Sequence, residues 1–320
     1  MRFSEFDLIR NVFAPLCFDD RALGLLDDGA VILPKEGLET IISTDTLVEG
    51  VHFLAYEKPE IIARRLLRVN LSDMASMAAT PSGYFLNLTL SPGIDDGWIT
   101  AFAEGLRYDQ EKFGITLLGG DTTHTPGPLT LSVTMLGDIP IGKAVLRSTA
   151  MAGDSIFVSG TVGDAGLGLS HFKKTRDNSH RLVSRYQLPE PRVQLGQALR
   201  NIATAMIDLS DGLIADLAHI CECSRVGATI CIDATPISEE VQVIVESGLV
   251  KLEDLIVSGD DYELIFTAPD DRLKEIVSLA ETAEVAVTKI GVLDGEPGAV
   301  KIIDSKGAAI NVDRTGYTHF

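Results

Sequence analysis

Six times along this chain an apolar segment runs directly into aspartate, hydroxyl and glycine residues. In TAMIDLSDGLIADLAHI, Ala205, Met206 and Ile207 lead into Asp208, Ser210 and Asp211, and Leu213, Leu217 and Ile220 then recur at three- and four-residue steps. That spacing predicts a strand followed by an amphipathic helix, with Ser210 or Asp211 as its N-cap. A cap uses one acid, which leaves Asp208 to be explained. The same arrangement appears in TIISTDTLVEG around Asp45, in ITLLGGDTTH around Asp121, and in LIVSGDDYEL around Asp260 and Asp261. LGLLDDGAVIL sets Asp27 and Asp28 between two apolar segments, and RVNLSDMASMAA places Asp73 among small residues of a predicted helix. Any one of these could be a turn. Six in one chain point to one shared acidic site.

The chain has 320 residues, 45% hydrophobic and 23% charged, which predicts a globular protein of about two domains at roughly 150 residues each. A net charge of −19 argues against binding nucleic acid or an anionic membrane surface. It leaves anionic substrates open, because divalent cations bridge carboxylates to phosphates. Cys17, Cys221, Cys223 and Cys231 form no CxxC pair, so free thiols in a reducing compartment are expected. MRFSEFDLIRNVF carries Glu5 and Asp7 and reads as an amphipathic helix, not a leader, and no apolar run approaches a membrane span. A soluble, cytoplasmic protein is expected.

Strand-like and helix-like segments alternate in the first half. Ile41 and Ile42, FLNLTL, ITLLGG and LTLSVTMLG read as strands. Residues 61–79 and DDGWITAFAEGLRYDQEKFG read as helices, the second with Trp98, Phe102 and Leu106 on its inner face and Gly114 after its end. The stretch 138–154 lacks a clear period and holds Pro140, Gly142 and Gly153. It marks a join between domains 1–138 and 139–320. The second half opens on the strand SIFVSG. It contains a basic stretch, 173–185, read as a loop or exposed helix end, then helices VQLGQALRN and LIADLAHIC. It ends in VAVTKIGVLDGEPGAVKIID, read as two strands joined by a Gly/Pro turn.

GDIPIGKA fits G-x-x-x-x-G-K but ends in Ala144, where a P-loop needs a hydroxyl for magnesium, and no regular helix pattern follows. The glycines of SGTVGDAGLGL miss G-x-G-x-x-G, the histidines are scattered, and no G-x-S-x-G occurs. What remains is an oxygen-only donor set, suited to magnesium and to phosphoryl transfer, which needs positioning and charge neutralisation more than a nucleophilic side chain. On that chemistry Asp28, Asp45, Asp73, Asp121, Asp208 and Asp211 are metal-ligand candidates and Arg147 is a phosphate contact.

STDTLVEGVHF, NLSDMASM, LLGGDTT, LRSTAMAGD, IDLSDGL, SGDDYEL and the terminal GYTHF occur in this order. Together they resemble the thiamine-monophosphate kinase family, within the aminoimidazole ribonucleotide synthetase and selenophosphate synthetase-like superfamily. The resemblance implies an α/β fold of α+β type. Its N-terminal mixed sheet, with helices, pairs across a homodimer and binds metal and nucleotide. Its C-terminal α/β domain closes the active site. It implies ATP-dependent, magnesium-dependent, in-line transfer of the γ-phosphate to thiamine monophosphate, the last step to thiamine diphosphate, with no covalent enzyme intermediate. By the same resemblance Asp28, Ser43, Thr44, Asp45, Asp73, Asp121, Asp208 and Asp211 are metal ligands. Gly120, Asp121, Arg147 and Ser210 contact ATP, and His52 and Asp260 contact thiamine monophosphate.

Three positions depart from the family pattern. Leu26 stands where the first acidic motif commonly has Gly, Asp260 is one methylene shorter than the usual Glu, and Arg314 occupies a position that is aromatic in some relatives. Tyr317 or Phe320 is then expected to supply the aromatic face. The alternatives are another ATP-dependent enzyme of the superfamily and a magnesium-nucleotide-binding scaffold without turnover. Selenophosphate synthesis needs a reactive Cys beside a Lys, whereas Cys17 is followed by Phe18, Asp19 and Asp20.

Overall fold

A computed structural model describes residues 4–298 and 300–318. The chain divides into two compact units. One holds the residues up to Met74 together with Ala79–Gly142, and the other holds Ala75–Ala78 and the chain from Lys143 onward.

The first unit begins with a short helix, α1 (Glu5–Leu8), a wider π-helical turn (Ile9–Phe13) and two 3-10 segments ending at Leu25. Four strands follow, β1 (Leu38–Val48), β2 (Thr80–Leu90), β3 (Leu117–His124) and β4 (Thr130–Pro140), with helices α2 (Pro59–Ser76) and α3 (Asp96–Phe113) between them. The sheet order is β1-β4-β2-β3, antiparallel except for β2 with β3, so the sheet is mixed. Helix α3 starts where Asp95 accepts the Trp98 N–H and stops where Gly114 takes a left-handed conformation. Tyr84, Leu86 and Leu88 of β2 and Leu131, Val133 and Met135 of β4 are buried along one face. Their register partners on β1 are Ser43, Asp45 and Leu47, so Ser43 and Asp45 occupy the row of an otherwise apolar face. The opposite face carries Thr44, Thr46, Ser132, Thr134 and Asn87. There Thr46 Oγ1 and Ser132 Oγ lie 2.6 Å apart, and Thr134 donates to Thr44.

The second unit contains β5 (Ser155–Ser159), α4 (Asp164–Thr175), α5 (Arg181–Gln187), α6 (Val193–Leu199), β6 (Ala205–Asp208), α7 (Leu213–Ser224) and β7 (Gly227–Cys231). It continues with α8 (Glu239–Glu246), α9 (Leu252–Leu255), β8 (Leu264–Ala268), α10 (Leu273–Thr282), β9 (Val287–Asp294) and β10 (Val300–Ile303). Its sheet order is β10-β7-β9-β5-β8-β6. The two strands at the end of the sequence are not partners, because β7 lies between them, antiparallel to β9 and parallel to β10. Ile156, Ile207, Leu213, Leu217, Ile220, Ile230 and Ile265 sit in the core of this unit, so the apolar stripe read from the IDLSDGL region is its buried face. The segment after Gly137 forms the end of β4 and then turns, with no helix, which excludes a P-loop.

Candidate active site

In the first unit, Asp45 of β1 faces α2. Its backbone N–H donates to Asn70 Oδ1 at 3.2 Å, and its carboxyl lies against that of Asp73, which also accepts the Ser43 hydroxyl. Burial pushes the Asp45 carboxyl up to about 7, and the negative charge of Asp73 adds to the shift. Two carboxylates held together in a largely apolar setting carry more negative charge than the site tolerates alone. An oxygen-only set of this kind fits a hard divalent cation.

A second group lines a cavity of about 560 Å³ at the β2–β3 end of the same unit. Asp27, Asp28, Asn87, Gly119, Gly120 and Asp121 border it, with Ile9, Phe13 and Ala22 of the N-terminal segment. That segment is tied to the sheet and to α3, since Phe18 donates its N–H to Thr116 and Gln110 donates to the Leu16 carbonyl. Gly120 is required by close approach: a Cβ there would stand 1.8 Å from the Leu86 carbonyl oxygen. Register places Gly120 and Asp45 in one row with Leu86 and Val133 between, three strand spacings apart, or roughly 14 Å along the sheet. Asp121 shares its row with Asn87, Ser132 and Thr46, and so does not join Asp45 and Asp73. Among the described residues no three acidic, histidine or cysteine side chains converge on one point. The acids of this unit therefore form two groups rather than the single cluster expected from the sequence.

Thr44 lies on the open, hydroxyl-rich face and donates to the Val133 carbonyl. His52 closes the turn after β1. Val48 N–H donates to His52 Nδ1 at 3.0 Å, and the His52 N–H donates to the Val48 carbonyl at 2.9 Å. The neutral ring therefore carries its proton on Nε2.

In the second unit, Asp208 ends β6, and the next four residues lie against the SGDDYEL segment. Leu209 donates to the Glu263 carbonyl, while Tyr262 and Asp260 donate their N–H groups to Leu209 and Ser210. Asp260 and Tyr262 adopt left-handed backbone conformations, and Gly259 passes so near Ser210 that a Cβ would meet its carbonyl at 2.2 Å. Asp208, Ser210, Asp211 and Asp260 are thus brought to one pair of adjoining segments. Tyr317 joins them through its N–H to the Asp211 carbonyl at 3.0 Å, whereas Phe320 lies outside the described residues. Arg147 sits exposed on the loop before β5. Ser224 pins that loop by donating to the Arg147 carbonyl, and Thr149 and Asp154 tie it to Thr204.

Three features of this unit differ from the sequence expectation. Neither Ser210 nor Asp211 caps α7. Its N-cap is Gly212, and Asp216 from the first turn reaches back to accept the N–H groups of Ser210, Asp211 and Gly212. Asp261, beside Asp260, is fully buried and accepts the N–H groups of Gly163 and Ala165 at the start of α4. Glu263 is also fully buried and is bound by Arg185 and Arg192 and by the Ser159 hydroxyl. The stretch 173–185 is the exposed end of α4 followed by a loop, as read, but α5 begins within it at Arg181 and Arg185 is anchored in the interior, because Glu263 cannot be buried without cationic partners.

The sequence matches the family AIR synthase related protein, N-terminal domain, over residues 26–139, and AIR synthase related protein, C-terminal domain, over residues 151–304. It is 40% identical to the thiamine-monophosphate kinase of Caulobacter vibrioides over 99% of this chain and 91% of that protein. The crystal structure of thiamine-monophosphate kinase from Stenotrophomonas maltophilia K279a superposes with a TM-score of 0.84 at 37% identity, covering 97% of this chain and 99% of the other. AaThiL complexed with AMPPCP and TMP superposes with a TM-score of 0.79 at 28% identity, covering 100% and 99%.

Proposed function

This chain belongs to the thiamine-monophosphate kinases, and from that premise we propose how its residues share the work of the reaction. The enzyme phosphorylates thiamine monophosphate with ATP, giving thiamine diphosphate and ADP. The acceptor is a phosphate whose second ionisation lies near pH 6, so its attacking oxygen is already an anion at neutral pH. No side chain has to remove a proton from it. What the protein must supply is alignment of two polyanions and relief of their repulsion.

Magnesium, when bound, neutralises phosphate charge and orients the transferring group. Asp45, Asp73 and Ser43 would hold it on one side of the first unit, with Asp28, Asp121 and Thr44 supplying oxygens elsewhere in that unit and Asp208 and Asp211 in the second. The observation that carries this assignment is the packing of the Asp45 carboxyl against Asp73, an arrangement a cation relieves. The spacing of roughly 14 Å between Asp45 and Gly120 along their shared row fits several ions along an extended polyphosphate better than one.

Gly120, free of a Cβ, lets the β3 backbone approach the nucleotide beside Asp121. Ser210 donates its hydroxyl to a phosphate oxygen, and Arg147 adds its guanidinium. His52 offers Nε2–H to the phosphate of thiamine monophosphate. Asp260, fixed by its backbone, faces the cationic thiamine moiety, with Tyr317 beside it as the aromatic face. The N-terminal domain also supplies the contact of a homodimer, and the protein works in the cytoplasm. Among the described residues no helix is long and apolar enough to cross a membrane.

The test is product formation from ATP, magnesium and thiamine monophosphate, with free thiamine in parallel. Thiamine diphosphate and ADP are expected from the monophosphate alone, and activity should vanish with a chelator. Full activity in the chelator would overturn the assignment of the acids. Sedimentation at micromolar concentration tests the dimer.

A further inference from the structure

The loop joining β6 to α7 has no spare backbone hydrogen-bonding group. Leu209 donates to Glu263 and accepts from Tyr262, Ser210 accepts from Asp260, and Asp211 accepts from Tyr317. The Gly212 carbonyl accepts the Asp216 N–H at 3.0 Å. The three remaining donors, the N–H groups of Ser210, Asp211 and Gly212, all converge on one atom, Asp216 Oδ2, at 3.0, 3.0 and 3.1 Å. Successive N–H groups curled around a point make an anion-binding concavity, usually filled by a ligand phosphate. Here the protein fills it with its own carboxylate, from a residue only 2% exposed.

That arrangement has a chemical consequence. With its donors turned inward onto Asp216, the loop cannot receive an external anion through its backbone. It acts outward through the side chains of Ser210 and Asp211, which are half-buried, while Asp208 at the strand end is only 4% exposed. We infer that Asp216 is a positioning residue, the buried anchor that fixes the loop so that its side-chain oxygens face outward for a phosphate-bound cation. This rests on the reading of Asp208 and Asp211 as cation ligands. It assigns Asp216 no contact with substrate.

Asp216→Ala removes the acceptor, and Asp216→Asn keeps one oxygen in the same place without the charge. Amide hydrogen exchange reports the anchoring directly. In Asp216→Ala the amides of residues 210–212 should lose protection while those of β6 and β8 keep theirs. Mn²⁺ affinity, followed by electron paramagnetic resonance, should fall at least about tenfold in that variant and return to within about threefold in Asp216→Asn. Parent-like exchange and affinity in Asp216→Ala would overturn the inference, as would an Asp216→Asn as defective as the alanine variant. If Asp216→Ala does not fold, Asp216→Asn decides by itself: protected 210–212 amides with parental Mn²⁺ affinity support the anchor, and rapid exchange there rejects it. Asp208→Asn tests the underlying reading. Unchanged Mn²⁺ affinity in that variant removes the cation from this loop, and the amide protection in Asp216→Ala still judges the anchor.

Discussion

Asp45, half-buried, and Asp261, fully buried, have carboxyls both pushed up to about 7, chiefly by desolvation, yet their neighbours give them different work. Asp45 faces another carboxylate, so its second contribution is repulsion. Asp261 faces two backbone N–H groups at a helix start, which favour its charge and make it a structural cap. Asp45→Asn should therefore lower turnover on the order of 10²-fold. The same substitution should raise the melting temperature at pH 8 without magnesium, because it removes repulsion with Asp73. A loss of both activity and stability would contradict that assignment. Glu263 stands at the opposite extreme, with no exposed side-chain surface and two arginines upon it. Glu263→Ala removes the carboxylate both guanidinium groups share, leaving Arg185 its 3.6 Å pairing with Asp164, and should cost about 3–5 kcal/mol in urea denaturation.

At the scale of elements, β2 and β3 meet more closely than side chains allow. Their parallel pairing brings Gly120 onto Leu86, where a Cβ would stand 1.8 Å from the carbonyl oxygen. Gly120→Ala must push β3 outward. It should destabilise the fold by about 1–3 kcal/mol and raise KM for ATP more than KM for thiamine monophosphate. Steady-state kinetics with each substrate varied separately reads the difference, and equal effects would place the glycine outside the nucleotide site. Element boundaries were legible wherever local chemistry sets them. Asp95 and Gly114 bracket α3 as the sequence indicates, because a cap needs only its own neighbours. The start of α7 was misread for the complementary reason. Its capping acid lies inside the helix at Asp216, and a carboxylate reaching backwards leaves no N-cap signature.

For the molecule as a whole, acids held near 7 link stability to pH. The Asp261 carboxyl has an ordinary value of 3.8 and a folded value of about 7, so the folded protein keeps a proton that the unfolded chain has released. That stabilisation is complete below 3.8, fades as pH rises, and is gone above about 7. Asp261→Asn cannot titrate, so the stability of the parent relative to this variant should fall between about pH 4 and pH 8 in thermal melts. A difference that stays flat or grows would show the group to be ionised throughout. The sequence by itself determined the order of the acidic motifs, the family they belong to, the alternation of strands and helices, and the set of acidic and hydroxyl side chains. These reside in residue identity and short-range spacing, which the chain carries before it folds. It did not distinguish the acid left half-buried from those that hold the fold, since SGDDYEL writes Asp260, Asp261 and Glu263 in one short run. Only tertiary structure separated them. The partners of Asp261 lie 98 and 96 residues away at Gly163 and Ala165, and those of Glu263 lie 78 and 71 residues away at Arg185 and Arg192. Burial and charge pairing are properties of those meetings, and local sequence does not contain them.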